Sequence, residues 1–166
     1  MVEKKSKRLA ISGMFIAMGV VLGNLIYIPV GVSKCFPVQH AINVLSSIVL
    51  GPLYSVGIAF SISFLRNILG TGSLLAFPGS MIGAFLAGVL YRYTKNKYIS
   101  AVGEVFGTGI LGGLFAFPIA KYIMGNEVGA FFFIYPFILS SIGGSILSLV
   151  ILKIMEKNKE FQVEAK

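Results

Sequence analysis

The chain has 166 residues, of which 56% are hydrophobic and only 12% are charged, and its mean hydropathy is +0.88. A soluble domain is about 45–50% apolar and about 25% charged, so this composition excludes a water-soluble globule and leaves no room for a second, soluble domain. The net charge of +8 does not indicate a nucleic-acid partner, because the basic residues lie at the ends of apolar segments, where they set orientation in a bilayer.

Six apolar segments predict an all-α membrane protein that forms one domain over residues 1–166. A helix that crosses a bilayer needs about 20 apolar residues. The predicted helices cover residues 8–28, 38–50, 52–69, 78–91, 98–123 and 131–155. The second is short, and Pro52 suits the first position of the third helix.

The distribution of basic residues predicts that both chain ends lie in the cytoplasm and that the protein is a multi-pass protein of the cell membrane. If the N-terminus is inside, eleven basic residues lie on the cytoplasmic side and three lie outside. The inside residues are Lys4, Lys5, Lys7, Arg8, Arg92, Lys95, Lys97, Lys153, Lys157, Lys159 and Lys166, and the outside residues are Lys34, Arg66 and Lys121. The asymmetry satisfies the positive-inside rule for an even number of spans.

A row of polar residues opens the second predicted helix. Gln39, His40 and Asn43 share one face because they are spaced by three and four residues, and Ser47 continues the row inward. Polar side chains within a membrane are costly, so they are candidates for a binding site. The alternative is that Gln39 and His40 lie at the wet outer interface, but the inward extension of the row favours a site.

Two further polar positions are candidates. Glu104 is the only carboxylate inside an apolar segment, and Thr108 lies one turn further on. Glu104 could bind a ligand, pair with His40 or Arg66, or form a structural hydrogen bond. Arg66 could hold an anion or extend to the lipid headgroups, and Asn67, one turn beyond Ser63, could face a cavity.

No enzyme signature is present, so we expect neither catalysis nor a cofactor. The sequence contains no phosphate-binding loop of the ATPase type and no nucleophile elbow. A histidine-rich metal site is excluded because the chain has one histidine. Uphill transport would therefore need an ion gradient or a partner that hydrolyses ATP.

Three stretches of the sequence resemble the ThiW family, and together the resemblance covers nearly the whole chain. The stretches are KCFPVQHAINVL at 34–45, LRNILGTGSLLAFPGSMIGA at 65–84 and GEVFGTG at 103–109. Members of that family are substrate-binding S components of energy-coupling factor transporters and are associated with the thiazole precursor of thiamine.

The resemblance implies a six-helix subunit that binds a vitamin precursor, most simply hydroxyethylthiazole. Its partners would be a transmembrane coupling subunit and two cytoplasmic ATPase subunits, and nucleic acid would not be one. Small residues four positions apart on the first helix, here Gly13 and Ala17, would meet the coupling subunit. The site would lie towards the outer side, covered by the loop after the first helix. Phe36 and Tyr135 could supply an aromatic wall beside the Gln39–Asn43 row.

Three alternatives remain open. The chain could be an S component for thiamine or its pyrimidine precursor. It could be a stand-alone secondary transporter, which would predict internal repeats with broken helices that the sequence does not show. It could be a membrane scaffold, which would need no polar row near the outer face.

Overall fold

The computed structural model describes residues 2–30 and 33–157 and contains the six predicted helices. They are α1 Val2–Leu25, α2 Pro37–Leu50, α3 Pro52–Ile68, α4 Ala76–Thr94, α5 Lys97–Ile123 and α6 Ile134–Lys157. Lys159 and Lys166, two of the basic residues counted above, lie outside the described residues.

A short antiparallel hairpin, which the sequence did not predict, connects α1 to α2. Strand β1 is Ile28–Val30 and strand β2 is Ser33–Cys35, with Ile28 opposite Cys35. The first helix therefore ends at Leu25, three residues before the predicted end. The hairpin satisfies backbone groups that a loop at this place would otherwise leave unpaired.

Three helices are long and apolar enough to cross a membrane within the described part of the chain, namely those over Glu3–Leu25, Lys97–Ile123 and Ile134–Lys157. Helix α2 is also apolar but has only 14 residues. At about 1.5 Å per residue it is about 21 Å long, shorter than the roughly 30 Å hydrocarbon core of a bilayer. Its ends must therefore be covered by other parts of the protein.

Helix α2 occupies the centre of the bundle. It packs against α1, α3, α4, α5 and α6, and all its residues except Ile48 and Val49 are buried. Its apolar side joins α3 in a core cluster that includes Val38, Ile42 and Ile62. This central position places the polar row of α2 inside the protein.

Glycines allow α4 and α5 to approach closely. A Cβ atom at Gly107 would lie 2.7 Å from the Cα of Gly83. A Cβ atom at Gly112 would lie even closer to the Cα of Gly79. Helix α5 contains two π-helical stretches, Val105–Gly112 and Ile119–Ile123. The first begins directly after Glu104 and includes Thr108, so the irregular turn lies where α5 carries its polar residues.

The remaining helix ends differ from prediction by a few residues. Helix α4 begins at Ala76, with Pro78 inside its first turn, where proline costs no hydrogen bond. Helix α6 begins at Ile134 because residues 131–133 form a turn. Such shifts are the usual uncertainty of helix ends read from a sequence.

Candidate functional site

A cavity of about 660 Å³ lies at the end of the bundle where the hairpin, the α3–α4 loop and the α5–α6 loop meet. The described residues that line it are Asn24, Tyr27, Phe36, Gln39, His40, Arg66, Gly70, Thr71, Gly72, Ser73, Leu75, Ala76, Gly79, Ser80, Thr108, Asn126, Val128, Phe132, Phe133, Pro136, Phe137 and Ser140. The lining combines an aromatic wall with a few polar groups, as in sites for small organic ligands.

Arg66 is the cation of this cavity. Its side chain is only 1% exposed, so the predicted alternative of a side chain reaching towards lipid headgroups is wrong. Nη1 donates to Gln39 Oε1 at 2.7 Å and Nη2 donates to the Thr71 carbonyl at 3.1 Å. The guanidinium lies over the Phe36 ring, 4.1 Å from its centroid, and a Cβ atom at Gly23 would lie 3.7 Å from Nη1.

No carboxylate of the described chain forms an ion pair with Arg66. Its charge is met by a side-chain amide, a backbone carbonyl and the face of an aromatic ring, which are neutral groups. Its Nε is buried and has no hydrogen-bond partner among residues 2–30 and 33–157. A buried cation with incomplete pairing is costly, and a ligand acceptor in the cavity would offset that cost.

Glu104 lies behind the cavity wall and is fully buried. Its Oε1 accepts a hydrogen bond from Asn43 Nδ2 at 3.0 Å and lies 2.9 Å from both His40 Nδ1 and Thr108 Oγ1. Oε2 has no partner among the described residues and lies against α4, where a Cβ atom at Gly83 would be 2.6 Å away. The glycine contact between α4 and α5 thus makes room for the carboxylate beside α2.

A chain of hydrogen bonds connects the buried cation to the buried carboxylate. Gln39 accepts from Arg66 and donates through Nε2 to Ser63 Oγ at 2.9 Å. Ser63 Oγ lies 3.1 Å from Ser80 Oγ. Asn43 completes the connection, because its Nδ2 donates to the Ser80 carbonyl at 3.1 Å and to Glu104 Oε1. This buried network therefore connects side chains of α2, α3, α4 and α5.

The structure brings most of the predicted site residues together. Phe36, Gln39, His40 and Thr108 line the cavity, and Asn43 and Glu104 lie directly behind it. Of the partners considered for Glu104, the structure selects His40 and not Arg66. Ser47, at the inner end of the row, bonds to Ser55 and to the Ala84 carbonyl, which is a packing role.

Two predicted residues lie apart from the cavity lining. Asn67 donates through Nδ2 to the carbonyls of Ser63 and Ser73, so it holds the α3–α4 loop to its helix. Tyr135 is 67% exposed on the surface of α6. This position suits an amphipathic ring at a membrane interface.

The aromatic wall contains residues that sequence reasoning missed. Phe132, Phe133 and Phe137 line the cavity opposite Phe36, and Phe133 contacts the rings of both its neighbours in this group. The run of three phenylalanines at 131–133 was a usable signal. It fell in a segment predicted as the start of a helix, where aromatic residues are ordinary lipid-facing groups.

The small residues of α1 divide between two faces. Gly13 and Ala17 are exposed, and a Cβ atom at Gly13 would meet nothing within 4 Å. Gly19 instead packs on Ile42 and Ile62, and Gly23 packs on Arg66. The first pair is therefore available to a partner, whereas the second pair is used inside the bundle.

The described chain is thus a helical bundle with three helices long and apolar enough to cross a membrane and with a cavity lined by a buried arginine, which are features of an integral membrane protein. The family model described as "Thiamine-precursor transporter protein (ThiW)" matches residues 9–158, so the chain belongs to the ThiW family. The resemblance noted in the sequence is thereby confirmed. No curated protein and no solved structure matches the chain.

Proposed function

We propose that this protein is the substrate-binding subunit of an energy-coupling factor transporter and that its ligand is hydroxyethylthiazole. The observation that carries the proposal is the cavity, which is lined by a buried arginine, by a histidine that bonds to Glu104 and by phenylalanines. Membership of a family described as thiamine-precursor transporters supports a ligand among the thiamine precursors.

The chemistry of the cavity favours the thiazole over thiamine. Hydroxyethylthiazole is a neutral ring with one hydroxyl tail, and it needs an aromatic wall and few hydrogen bonds. Thiamine carries a permanent positive charge on its thiazolium ring, and Arg66 would repel it in a medium of low dielectric constant. The pyrimidine precursor is also neutral but has more polar groups, so it is the second candidate.

The positions of the helix ends support a six-span arrangement with the cavity on the outer side. The ends of α2, α4 and α6 and the start of α5 gather at the end of the bundle opposite the cavity. That end carries the basic residues near Arg92, Lys97 and Lys153, which favours a cytoplasmic location. The short helix α2 is compatible with a membrane because protein surrounds it, and irregular backbone is tolerated where it lines a cavity.

The exposed face of α1 supports coupling to a partner. Gly13 and Ala17 would allow a helix of the coupling subunit to approach the backbone of α1, as small residues do in lipid. Since the sequence contains no ATPase motif, two cytoplasmic ATPases would supply the energy. A stand-alone secondary transporter remains the alternative and would need an ion gradient instead.

Ligand binding by the purified protein tests the proposal. The chain has no tryptophan, so calorimetry is preferable to intrinsic fluorescence. Hydroxyethylthiazole should bind more tightly than thiamine or the pyrimidine precursor, and mass spectrometry should find it in the co-purified material. Tighter binding of thiamine, or no binding of any of the three, contradicts the assignment.

Orientation is tested with single cysteines in a Cys35→Ser background. Tyr93 and Glu127 are exposed and lie at opposite ends of the bundle. Tyr93→Cys should react with an impermeant maleimide only from the cytoplasm, and Glu127→Cys only from outside. Labelling of both from the same side would rule out the six-span arrangement. Tyr93 is a better choice than Asn96, whose side chain caps α5.

A further inference from the structure

The orientation of the His40 ring is fixed by the carboxylate behind it. Oε1 of Glu104 lies 2.9 Å from His40 Nδ1 and 3.0 Å from Asn43 Nδ2. An amide nitrogen can only donate, so this oxygen acts as an acceptor. We therefore assign the Nδ1 hydrogen to the bond with Glu104, as for histidines held by a carboxylate on their far side.

This assignment leaves Nε2 as the free nitrogen of His40. The residue lines the cavity and is 9% exposed, and Nε2 forms no hydrogen bond within the described chain. In a neutral imidazole that donates through Nδ1, Nε2 is an acceptor. His40 therefore presents a hydrogen-bond acceptor to the cavity.

Arg66 presents the opposite polarity. A guanidinium has five N–H donors and no acceptor, and only two of them are engaged, by Gln39 and by the Thr71 carbonyl. Gln39 does not change this polarity, because both ends of its amide are already engaged: the oxygen accepts from Arg66 and the nitrogen donates to Ser63. The wall thus has a donor end at Arg66 and an acceptor end at His40.

We propose that the cavity selects a neutral heteroaromatic alcohol by this polarity. The free hydroxyl of the ligand donates to His40 Nε2, the ring nitrogen accepts from Arg66, and Glu104 is a positioning residue that holds the acceptor nitrogen towards the ligand. The inference rests on the proposed function and adds which groups of the ligand are recognised. An ether of the same alcohol has lost its donor and is discriminated against, because a buried acceptor is left unpaired.

A ligand series tests the inference on the wild-type protein. Calorimetry compares hydroxyethylthiazole with its O-methyl ether and with the thiophene analogue, in which a CH group replaces the ring nitrogen. Each analogue should bind about tenfold or more weakly, as expected when one buried hydrogen bond is lost. Equal binding of the alcohol and the ether overturns the inference but leaves the proposed function standing. No binding of any thiazole overturns both.

Two variants then test whether His40 and Glu104 cause the preference for the alcohol over the ether. In His40→Phe, which keeps a ring but removes both nitrogens, the preference for the alcohol over the ether should fall to nearly none. In Glu104→Gln, whose amide can donate or accept, the histidine tautomer is no longer fixed, and the preference should also fall. A preference that stays unchanged in both variants overturns the inference, and if neither variant folds, the ligand series decides.

The control separates positioning from a general loss of stability. Ser55 is fully buried and does not line the cavity. Its hydroxyl bonds to the hydroxyls of Ser46 and Ser47 and to the backbone carbonyl of Asn43, so the Asn43 side chain is not its partner. Ser55→Ala should lower the melting temperature and keep the full preference for the alcohol. If Ser55→Ala reduces the preference as much as Glu104→Gln does, Glu104 has only a structural role and the positioning part of the inference is wrong.

Discussion

Helices α1 and α2 are neighbours in the sequence but opposite in character. Helix α1 has 24 residues, most of which are exposed, whereas α2 has 14 residues that are nearly all buried and include glutamine, histidine, asparagine and two serines. The helix that carries the row of polar side chains is thus the inner one. In a bilayer no hydrophobic driving force moves an apolar surface away from the lipid, whereas polar groups must find hydrogen-bond partners inside the protein.

In the proposed function, α2 recognises the ligand and α1 recognises the coupling subunit. The two tasks make different demands. A binding site needs side chains fixed by hydrogen bonds, whereas a surface for another helix needs only small residues and free space. The predictions below separate the two helices by what each substitution changes.

The largest effect is expected on uptake from substitutions on the free face of α1. Gly13→Leu and Ala17→Leu should abolish uptake and co-purification with the coupling subunit, because a large side chain keeps a partner helix at a distance. Ligand binding to the isolated protein should remain normal, since both positions are exposed. Transport is measured as uptake in cells with and without the ATPase subunits. Ligand binding is measured by calorimetry on the purified protein.

Gly57 provides the matched control for this experiment. It lies on α3, is exposed, and a Cβ atom there would meet nothing within 4 Å, as at Gly13. Gly57→Leu should leave both uptake and binding intact. Full uptake by the α1 variants, or by the wild-type protein without any ATPase, would favour a secondary transporter.

The next largest effect is expected on stability from the carboxylate that holds α2 to α5. Glu104→Leu leaves Asn43, His40 and Thr108 without their shared acceptor and should cost about 3–5 kcal/mol, as when a buried pair loses one member. Glu104→Gln keeps an acceptor oxygen and should cost about 1–3 kcal/mol. Thermal unfolding in detergent followed by circular dichroism gives the order. A leucine variant as stable as the wild type would show that the network does not hold the helices.

A smaller effect is expected on affinity from the residue of α2 that holds Arg66. Gln39→Ala removes the Nη1 acceptor at 2.7 Å and lets the guanidinium move. Affinity for hydroxyethylthiazole should fall by about 1.5–3 kcal/mol, the usual contribution of a hydrogen bond to a charged group. Ser61→Ala, which removes a hydroxyl that bonds only to the Gly57 carbonyl on the outside of α3, should leave affinity unchanged. Equal affinities in the two variants would exclude Gln39 from the site.

The helices were predictable because runs of apolar residues and the prolines at 37 and 52 define them locally. The polar row of α2 was predictable for the same reason, since spacing along one helix determines a face. The pairing of His40 rather than Arg66 with Glu104 was not predictable, because it depends on how three helices pack. The hairpin and the phenylalanine wall were also missed, since they lie in short segments whose structure depends on contacts with distant parts of the chain.

The smallest effect is expected at the junction of the two helices, where Cys35 ends the hairpin. The thiol is buried and lies 3.3 Å from the Pro136 carbonyl on α6, and burial raises the pKa of the Cys35 thiol above its usual value. The thiolate is the reactive form, so a raised pKa leaves less of it at neutral pH and slows alkylation. In the wild-type protein an impermeant maleimide should therefore label Cys35 far more slowly than Glu127→Cys in the Cys35→Ser background. The rate should increase with pH as the thiol ionises. Fast labelling at neutral pH would mean that the hairpin does not pack on α6.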